Sequence, residues 1–401
     1  MSLSPPYALT RLELATGLVI ETDRDAPPLP AAPAGVKARD ALAESIRDAL
    51  RRPPCLVSFS GGRDSSAVLA VAADIARQEG LPAPVAVTCR YPEEMAGAGE
   101  SRWQEIVIRH ARVEEWIRID ITDEIDCLSP IGIDALLRHR LIYPIAAHSL
   151  VPALRLCAGG SLLTGIGGDQ ILGRRSRISD VLARRVRPVP RDAARLALAF
   201  GPSGLRRARR RRQAPPFVTW LTPTGRREFA ASWGRVVAAG SATWSRGLVQ
   251  TWRSRDLQLS VAGMDVLARE YDVRMLHPLF TPLFVSVMAR DGGVRGYANR
   301  TEVMRMLFGD VLPDEVNSRR TKAVFGQPYW THYSQQFGRS WSGGGIDAEL
   351  VDVGALQRLW AGSDPPPAPT LILLKQAWLD AYERGQQGDS VSTSRDPAVS
   401  S

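Results

Sequence analysis

The chain has 401 residues, of which 44% are hydrophobic and 23% are charged, a composition typical of a globular protein with one large or two medium-sized cores. Lys and Arg total 51 against 42 Asp and Glu, a balance that favours polyanionic ligands without requiring a nucleic acid. The sequence contains neither a signal-peptide pattern nor a run of eighteen apolar residues, so it excludes a helical membrane protein and predicts a cytoplasmic one.

The N-terminal part of the chain shows a short alternating pattern followed by prolines. Residues 7–22 alternate apolar and polar side chains, which predicts one or two short strands, and a proline-rich stretch follows them. We therefore expect residues 1–36 to form a strand and linker segment.

An alternation of helices and strands begins at Lys37. Strands are predicted at 55–59, at 84–89, near 115–119 and at 161–165, with helical patterns before and between them. Such an order predicts a mainly parallel sheet covered on both faces, formed by an α/β core at 37–175. Residues 176–385 contain helical patterns and few β-branched runs, so a largely helical lobe is expected there. Residues 386–401 are predicted to be a disordered tail.

A glycine- and serine-rich segment, SGGRDSS, follows the first predicted strand and opens the next helix. Backbone N–H groups and a helix N-terminus at such a position form a cradle for phosphate oxygens. A carboxylate inside an anion site requires a bridging cation, so Asp64 indicates Mg²⁺. A glycine-rich turn with a helix cap is the structural alternative. The residues expected to bind nucleotide here are Ser60, Gly61, Gly62, Asp64, Ser65 and Ser66.

A second segment, TGIGGD at 164–169, ends another predicted strand. Parallel strands that end at one edge of a sheet would bring Asp64 and Asp169 to the side where open α/β sheets bind their ligands. The two aspartates are therefore the predicted metal ligands and would share Mg²⁺ bound to pyrophosphate. A glycine hairpin with an aspartate turn is the alternative. The remaining residues expected to bind nucleotide are Val87, Thr164, Gly165 and Gly168.

Three segments, SGGRDSS, TGIGGDQILG and RTEVMRMLFGDVLPDEVNSRRTKAVFGQPYW, together resemble the synthetase domain of the asparagine synthetase superfamily, which includes β-lactam synthetases and lasso-peptide macrolactam cyclases. The resemblance spans roughly residues 40–340. It implies the adenine-nucleotide α-hydrolase (PP-loop) fold, and ATP with Mg²⁺ that adenylates a carboxylate before an amine attacks it. Asp64 and Asp169 match the family's magnesium aspartates. Lys322 matches the catalytic lysine that stabilises charge on the adenylate and during amide formation.

The sequence also departs from this family. The residues before the first predicted helix are too few for the glutaminase domain of asparagine synthetases, so ammonia from glutamine is not expected. The acid/base position three residues before the second aspartate, Glu or Tyr in relatives, is Ile166. The position after that aspartate is usually Glu and is Gln170 here.

These observations favour an AMP-forming carbon–nitrogen ligase in peptide natural-product biosynthesis. A lasso-type macrolactam cyclase is the first hypothesis, since a peptide's own amine replaces ammonia and the basic segment 206–212 could hold an acidic peptide. A small-molecule amide or β-lactam-type synthetase is the alternative. The partners expected are a carboxylate substrate such as a precursor peptide, and a protease or peptide-recognition protein, with neither membrane nor nucleic acid.

Two hypotheses from other classes stay open at the level of sequence. A PP-loop tRNA-modifying enzyme would use the arginines at 206–212 on phosphates, although thiolating members need cysteine pairs that this chain lacks. A non-catalytic nucleotide-binding subunit would explain Ile166.

Overall fold

The fold is built around one parallel sheet. In this computed structural model, the described residues are 8–92, 100–173, 177–193, 197, 216–241, 243–319, 329–362 and 364–393. The five strands have the order β3-β2-β1-β4-β5. They are β1 (Cys55–Ser58), β2 (Val85–Arg90), β3 (Trp116–Asp120), β4 (Ser161–Leu163) and β5 (Arg274–Leu276). The first four coincide with the four strands expected from the sequence, which confirms the α/β class.

Helices occur in the connections between the strands and in most of the second half of the described chain. Those of the first half are α1 (Arg11–Thr16), α2 (Ala38–Leu50), α3 (Arg63–Glu79), α4 (Glu100–Ala111), α5 (Pro130–His139), α6 (Val151–Leu156), α7 (Gly168–Leu172) and α8 (Arg177–Leu182), with a 3₁₀ turn at Ala147–Leu150. Those of the second half span Pro223–Ala239, Trp244–Trp252, Arg255–Glu270, Pro282–Gly292, Arg300–Phe308, Asp314–Asn317, His332–Ser340, Val353–Ala361 and Thr370–Thr393, with a 3₁₀ turn at Pro278–Phe280.

The central strand β1 is buried on both faces, as its uninterrupted apolar sequence predicts. Val57 and Leu163 are register partners that pack into a core with α2, α3 and the helix Pro282–Gly292. Leu56 and Leu162 point to the opposite face and pack with Met264 and other residues of the helix Arg255–Glu270. The side chains therefore alternate between two helical layers, which fixes β1 and its following loop rigidly in the middle of the molecule.

The fifth strand corrects the expected division between an α/β core and a helical lobe. β5 pairs with β4 in parallel, with Leu162 opposite Met275, although it comes from the part of the chain expected to be largely helical. The strand has only three residues, and one of them is exposed, so its sequence shows no clear period. The sheet is thus completed by residues that lie more than a hundred positions after β4.

Residues 11–16 form a helix in place of the one or two short strands predicted for residues 7–22. Thr10 Oγ1 accepts from the N–H of Glu13 at 3.3 Å, and the Glu13 carboxylate accepts from the N–H of Thr10 at 2.8 Å. This reciprocal capping box starts α1, which ends at Gly17 in the left-handed conformation. Glu13 also pairs with Arg255 at 2.8 Å, so a contact distant in sequence stabilises the helix.

Three further expectations concern the C-terminal tail, the basic segment and membrane-spanning helices. The helix Thr370–Thr393 continues through the first part of the tail that was expected to be disordered, and residues 394–401 lie outside the described residues. The basic segment 206–212 also lies outside them. In the described part of the chain, no helix is both long enough and apolar enough to span a bilayer.

Candidate active site

The loop after β1 is closed by its own serines. The Ser65 hydroxyl accepts from the N–H of Ser60 at 3.2 Å and donates to the Gly62 carbonyl at 3.1 Å. Gly61 has φ +83°, a conformation that favours glycine. The chain then enters α3, a helix of 17 residues whose first turn contains Asp64. The loop therefore presents backbone N–H groups and a helix N-terminus to one side of the sheet, as an anion site requires.

The loop after β4 lies directly against the first loop. A Cβ atom on Gly165 would be 2.8 Å from the backbone nitrogen of Ser65, and a Cβ on Gly168 would overlap the Asp64 carboxyl group. The Thr164 hydroxyl lies 2.6 Å from His277 Nδ1 and accepts from the N–H of Ile166, which ties this loop to the end of β5. The glycines are thus required by close approach of the two loops.

Asp64 and Asp169 are brought together by one guanidinium group. Arg300 Nη2 lies 2.5 Å from both carboxylate oxygens of Asp64, and Nη1 is paired with Asp169. The side chains of Arg300 and Asp64 are only 18% and 17% exposed. Burial raises the pKa of Asp64, and the charge and hydrogen bonds of Arg300 oppose that rise. Burial lowers the pKa of Arg300, but the two carboxylates outweigh it and the pKa is raised.

The two aspartates fit a shared magnesium ion. They supply oxygen ligands on neighbouring loops, and they already share one cation, Arg300. Among the described residues no group of three or more His, Cys, Asp or Glu is placed to hold a metal. Magnesium at this position would therefore need further ligands from phosphate oxygens and water, which is how this ion is usually bound beside nucleotides.

The two loops form one end of a cleft of about 750 Å³, a size suited to a nucleotide and part of a second substrate. Of the residues expected to bind nucleotide or metal, those that line it are Ser60, Gly62, Asp64, Ser65, Thr164, Gly165 and Asp169. Gly61 lies in the first loop, Ser66 in the first turn of α3 and Gly168 at the start of α7, and none of the three lines the cleft. Val87 lies on β2 with a buried side chain, and its carbonyl accepts from the N–H of Phe59. Lys322 lies outside the described residues.

Several cleft residues were not expected from the sequence. Arg319 donates to the Gly61 carbonyl at 2.9 Å and lies over the Trp103 ring, and therefore holds the first loop from the opposite side. Arg63, at the start of α3, also lines the cleft, and burial followed by the charge of Arg300 lowers its pKa. Arg63 lies inside the segment SGGRDSS and Arg319 inside the third quoted segment, but neither segment shows locally which distant groups these arginines contact.

The end of the cleft away from the two loops is lined by Pro144, Leu150, Leu257 and Met264, together with the polar residues Ser260 and Asp256. Asp256, the second residue of its helix, lines this end and accepts a hydrogen bond from the Tyr143 hydroxyl. Burial raises the pKa of Asp256, and the hydrogen bond from Tyr143 lowers it. Ile166 lies in the same cleft and offers no proton-transfer group. Asp256 is therefore the described carboxylate available at this end.

The sheet has five parallel strands, and its strand order reverses between the adjacent strands β1 and β4. A loop of the kind that binds phosphate follows each of these two strands. These features define a PP-loop α/β protein. The family model for asparagine synthase matches residues 37–380, and the chain belongs to this family. Its members are ATP-dependent ligases that use ATP, usually with Mg²⁺, so membership indicates ATP-dependent amide-bond synthesis in general. A comparison with curated proteins found no match.

Proposed function

We propose that the cleft activates a carboxylate with ATP and then joins it to an amine. The carboxylate attacks the α-phosphate of ATP and pyrophosphate leaves. The amine then attacks the acyl adenylate, so an amide forms and AMP is released. The observation that carries this proposal is the placement of Asp64 and Asp169 around a single cation beside a phosphate-type loop.

The residues at the loop end have the roles of a pyrophosphate site. The loop Ser60–Ser66 and the α3 N-terminus hold the β and γ phosphates through backbone N–H groups. Asp64 and Asp169 would hold Mg²⁺, which would neutralise the charge of the leaving pyrophosphate. Arg63 and Arg319 add fixed positive charge to the cleft. This arrangement favours attack at the α-phosphate, because it holds the leaving group and not the transferred group.

The opposite end of the cleft would receive the amine. Its apolar wall includes Leu150, Leu257 and Met264, which exclude water from the acyl group. Asp256 would accept a proton from the attacking amine, and Tyr143 would hold its carboxylate in position. This role replaces the proton-transfer group that Ile166 does not provide.

At the level of substrate, we propose a peptide whose own amine closes a macrolactam, as in lasso-type cyclases. The support is the resemblance of the three motifs to that group, with a precursor peptide as substrate and a peptide-recognition protein or protease as partner. Lys322 is proposed to stabilise charge on the adenylate and in the amide-forming step, as its match to the family implies.

The reaction type is tested by the nucleotide products. Candidate peptides and small carboxylates are incubated with ATP and Mg²⁺, and nucleotides are separated by chromatography. We expect substrate-dependent AMP and pyrophosphate in equal amounts, with an amide found by mass spectrometry. Substrate-dependent ADP without AMP would mean acyl-phosphate chemistry and would overturn the adenylation step. A linear or small-molecule amide in place of a ring would remove only the macrolactam proposal.

The site is tested by calorimetry with ATP, with and without Mg²⁺. Asp64→Asn and Asp169→Asn should each weaken Mg²⁺-dependent ATP binding by about ten-fold or more, because each removes a charged metal ligand. Asp120→Asn is the matched control, since Asp120 ends β3 and pairs with Arg90 on the surface. Unchanged Mg²⁺-dependent binding in both site variants would show that the metal lies elsewhere.

A further inference from the structure

Arg300 is placed where the metal ion of the proposed site would bind. It is the first residue of the helix Arg300–Phe308, and its guanidinium group contacts both oxygens of Asp64 and one oxygen of Asp169. Its Nε is buried without a hydrogen-bond partner. Only the two terminal nitrogens are therefore in use, and both are directed at the carboxylates.

A divalent cation would compete with Arg300 for the same oxygen atoms. Both oxygens of Asp64 are engaged by Nη2, so a metal ion could coordinate Asp64 only if the guanidinium moved or shared an oxygen. Sharing would place two positive charges a few ångströms apart in a site with little solvent, where their repulsion is weakly screened. Arg63, a further cation in the cleft, would increase that repulsion.

A bound triphosphate would change this balance. Its oxygens would offer the Arg300 fork a bidentate partner of the kind that guanidinium groups prefer. The same oxygens complete the coordination of a magnesium ion held by two carboxylates. Contacts with the phosphate oxygens would therefore replace the ion pairs that Arg300 loses with Asp64 and Asp169 when the metal binds.

We propose that Arg300 is an internal counter-cation that closes the aspartate pair to divalent metal until nucleotide or pyrophosphate enters the cleft. In this scheme Arg300 pairs with Asp64 and Asp169 in one state and with phosphate oxygens in the other. Metal binding and phosphate binding are then positively coupled, and the coupling acts equally in both directions. The inference rests on the proposed function only in taking the cleft as a site for Mg²⁺ and nucleotide.

The test measures Mn²⁺ binding to the full-length protein by electron paramagnetic resonance, first alone and then with pyrophosphate. Wild type should bind Mn²⁺ weakly alone and about ten-fold or more tightly with pyrophosphate, a typical size for coupling between two sites. Arg300→Met removes the guanidinium group from both carboxylates, so it should bind Mn²⁺ alone about ten-fold more tightly than wild type and gain less from pyrophosphate.

Arg305→Met is the matched control. Arg305 lies on the same helix and pairs with Asp314 on the surface, so this variant should reproduce both wild-type values. Arg300→Lys gives a second measurement, useful if the methionine variant is unstable. Its compact ammonium group lacks the planar two-nitrogen fork with which Arg300 contacts Asp64 and Asp169 separately, so its affinity for Mn²⁺ alone should lie between those of wild type and Arg300→Met.

Two results would overturn the proposal. One is Mn²⁺ binding to wild type that is equally tight with and without pyrophosphate. The other is Mn²⁺ binding to Arg300→Met, or to Arg300→Lys if the first does not fold, that is no tighter than in wild type. Neither measurement involves a carboxylate substrate or AMP, so failure of the proposed ligase reaction would leave this test intact. Equally, AMP formation together with uncoupled metal binding would remove only the role of Arg300.

Discussion

At the scale of single residues, the site depends on a close approach that only glycine permits. Gly168 is the first residue of α7, and a Cβ atom there would overlap the carboxyl group of Asp64. Asp64 is short, only 17% exposed and held by Arg300, so its carboxyl group has little room to move aside. A methyl group at position 168 would thus act on Asp64, the proposed metal ligand, more than on the backbone.

We expect Gly168→Ala to weaken Mg²⁺-dependent ATP binding by about ten-fold or more, an effect comparable to the loss of a group that positions a metal ligand. The reason is displacement of the Asp64 carboxylate from its place beside Asp169. Calorimetry with ATP and Mg²⁺ measures the change, and thermal unfolding shows whether the fold is affected.

Gly354→Ala is the control for this substitution. Gly354 lies in the helix Val353–Ala361, and a Cβ there would meet only the end of the Arg358 side chain at 3.4 Å and an Asp352 oxygen at 3.6 Å. It should leave ATP binding unchanged. Wild-type affinity in Gly168→Ala would mean that Asp64 can shift without loss of the site.

At the scale of elements, α3 connects the loop that follows β1 to the core. Its residues Ser65–Ala73 are all buried, and the helix packs against α2 and β1. Leu69, in the middle of this stretch, is fully buried. The rigidity of the loop therefore derives from a helix that is enclosed on nearly every side, and the small side chains of the helix allow that enclosure.

Leu69→Ala should lower the free energy of unfolding by about 2–5 kcal/mol, because it leaves a cavity that a closely packed helix cannot fill. Denaturation by urea, followed by circular dichroism, measures it. Leu137→Ala on α5 is the matched control, because Leu137 is 39% exposed, and it should cost at most about 1 kcal/mol. Equal costs in the two variants would show that α3 repacks freely and does not anchor the loop.

At the scale of the whole molecule, a buried polar network joins the C-terminal helix to the α/β core. His148 Nε2 donates to the carbonyl of Ile125 at 2.9 Å, and Nδ1 accepts from Lys375 Nζ at 3.2 Å. Burial, followed by the charge of Lys375, lowers the pKa of His148 to about 3. His148 is thus neutral in the folded protein, and a second proton would face an ammonium group.

This histidine makes stability depend on pH in a defined window. The unfolded chain binds a proton at His148 near pH 6.5, whereas the folded protein binds it only near pH 3. Between these values the unfolded state holds more protons, so the free energy of unfolding falls as the pH falls, by about 1.4 kcal/mol per pH unit for this group. Above pH 6.5 its contribution to stability is complete.

Urea denaturation of wild type and His148→Gln at pH 4.5, 5.5 and 6.5 tests this expectation. In this range, the slope of the free energy of unfolding against pH should be smaller in His148→Gln than in wild type by about 1.4 kcal/mol per pH unit. His110→Gln is the control, since His110 is exposed on α4, and it should keep the wild-type slope. An unchanged slope in His148→Gln would show that His148 does not titrate on unfolding. His277, whose pKa burial lowers to about 4, contributes in the same direction in all three proteins.

The sequence by itself determined the parts of this protein that rest on local patterns. Apolar runs bounded by glycine or proline specified β1, β2 and β4, and the segment after β1 predicts an anion site, because backbone geometry and side-chain type act within a few residues. Asp64 and Asp169 were placed correctly on one side of the sheet because parallel strands share an edge.

Only the tertiary structure decided the features that depend on contacts between distant residues. Arg300 reaches partners 131 and 236 positions away, β5 forms because β4 provides an edge, and α1 is stabilised by Arg255 in addition to its cap. An arginine or a three-residue strand carries no local signal of such partners. These contacts form because folding brings charged side chains and unpaired backbone N–H and C=O groups within reach of each other. A short window of the sequence contains only one of the two partners.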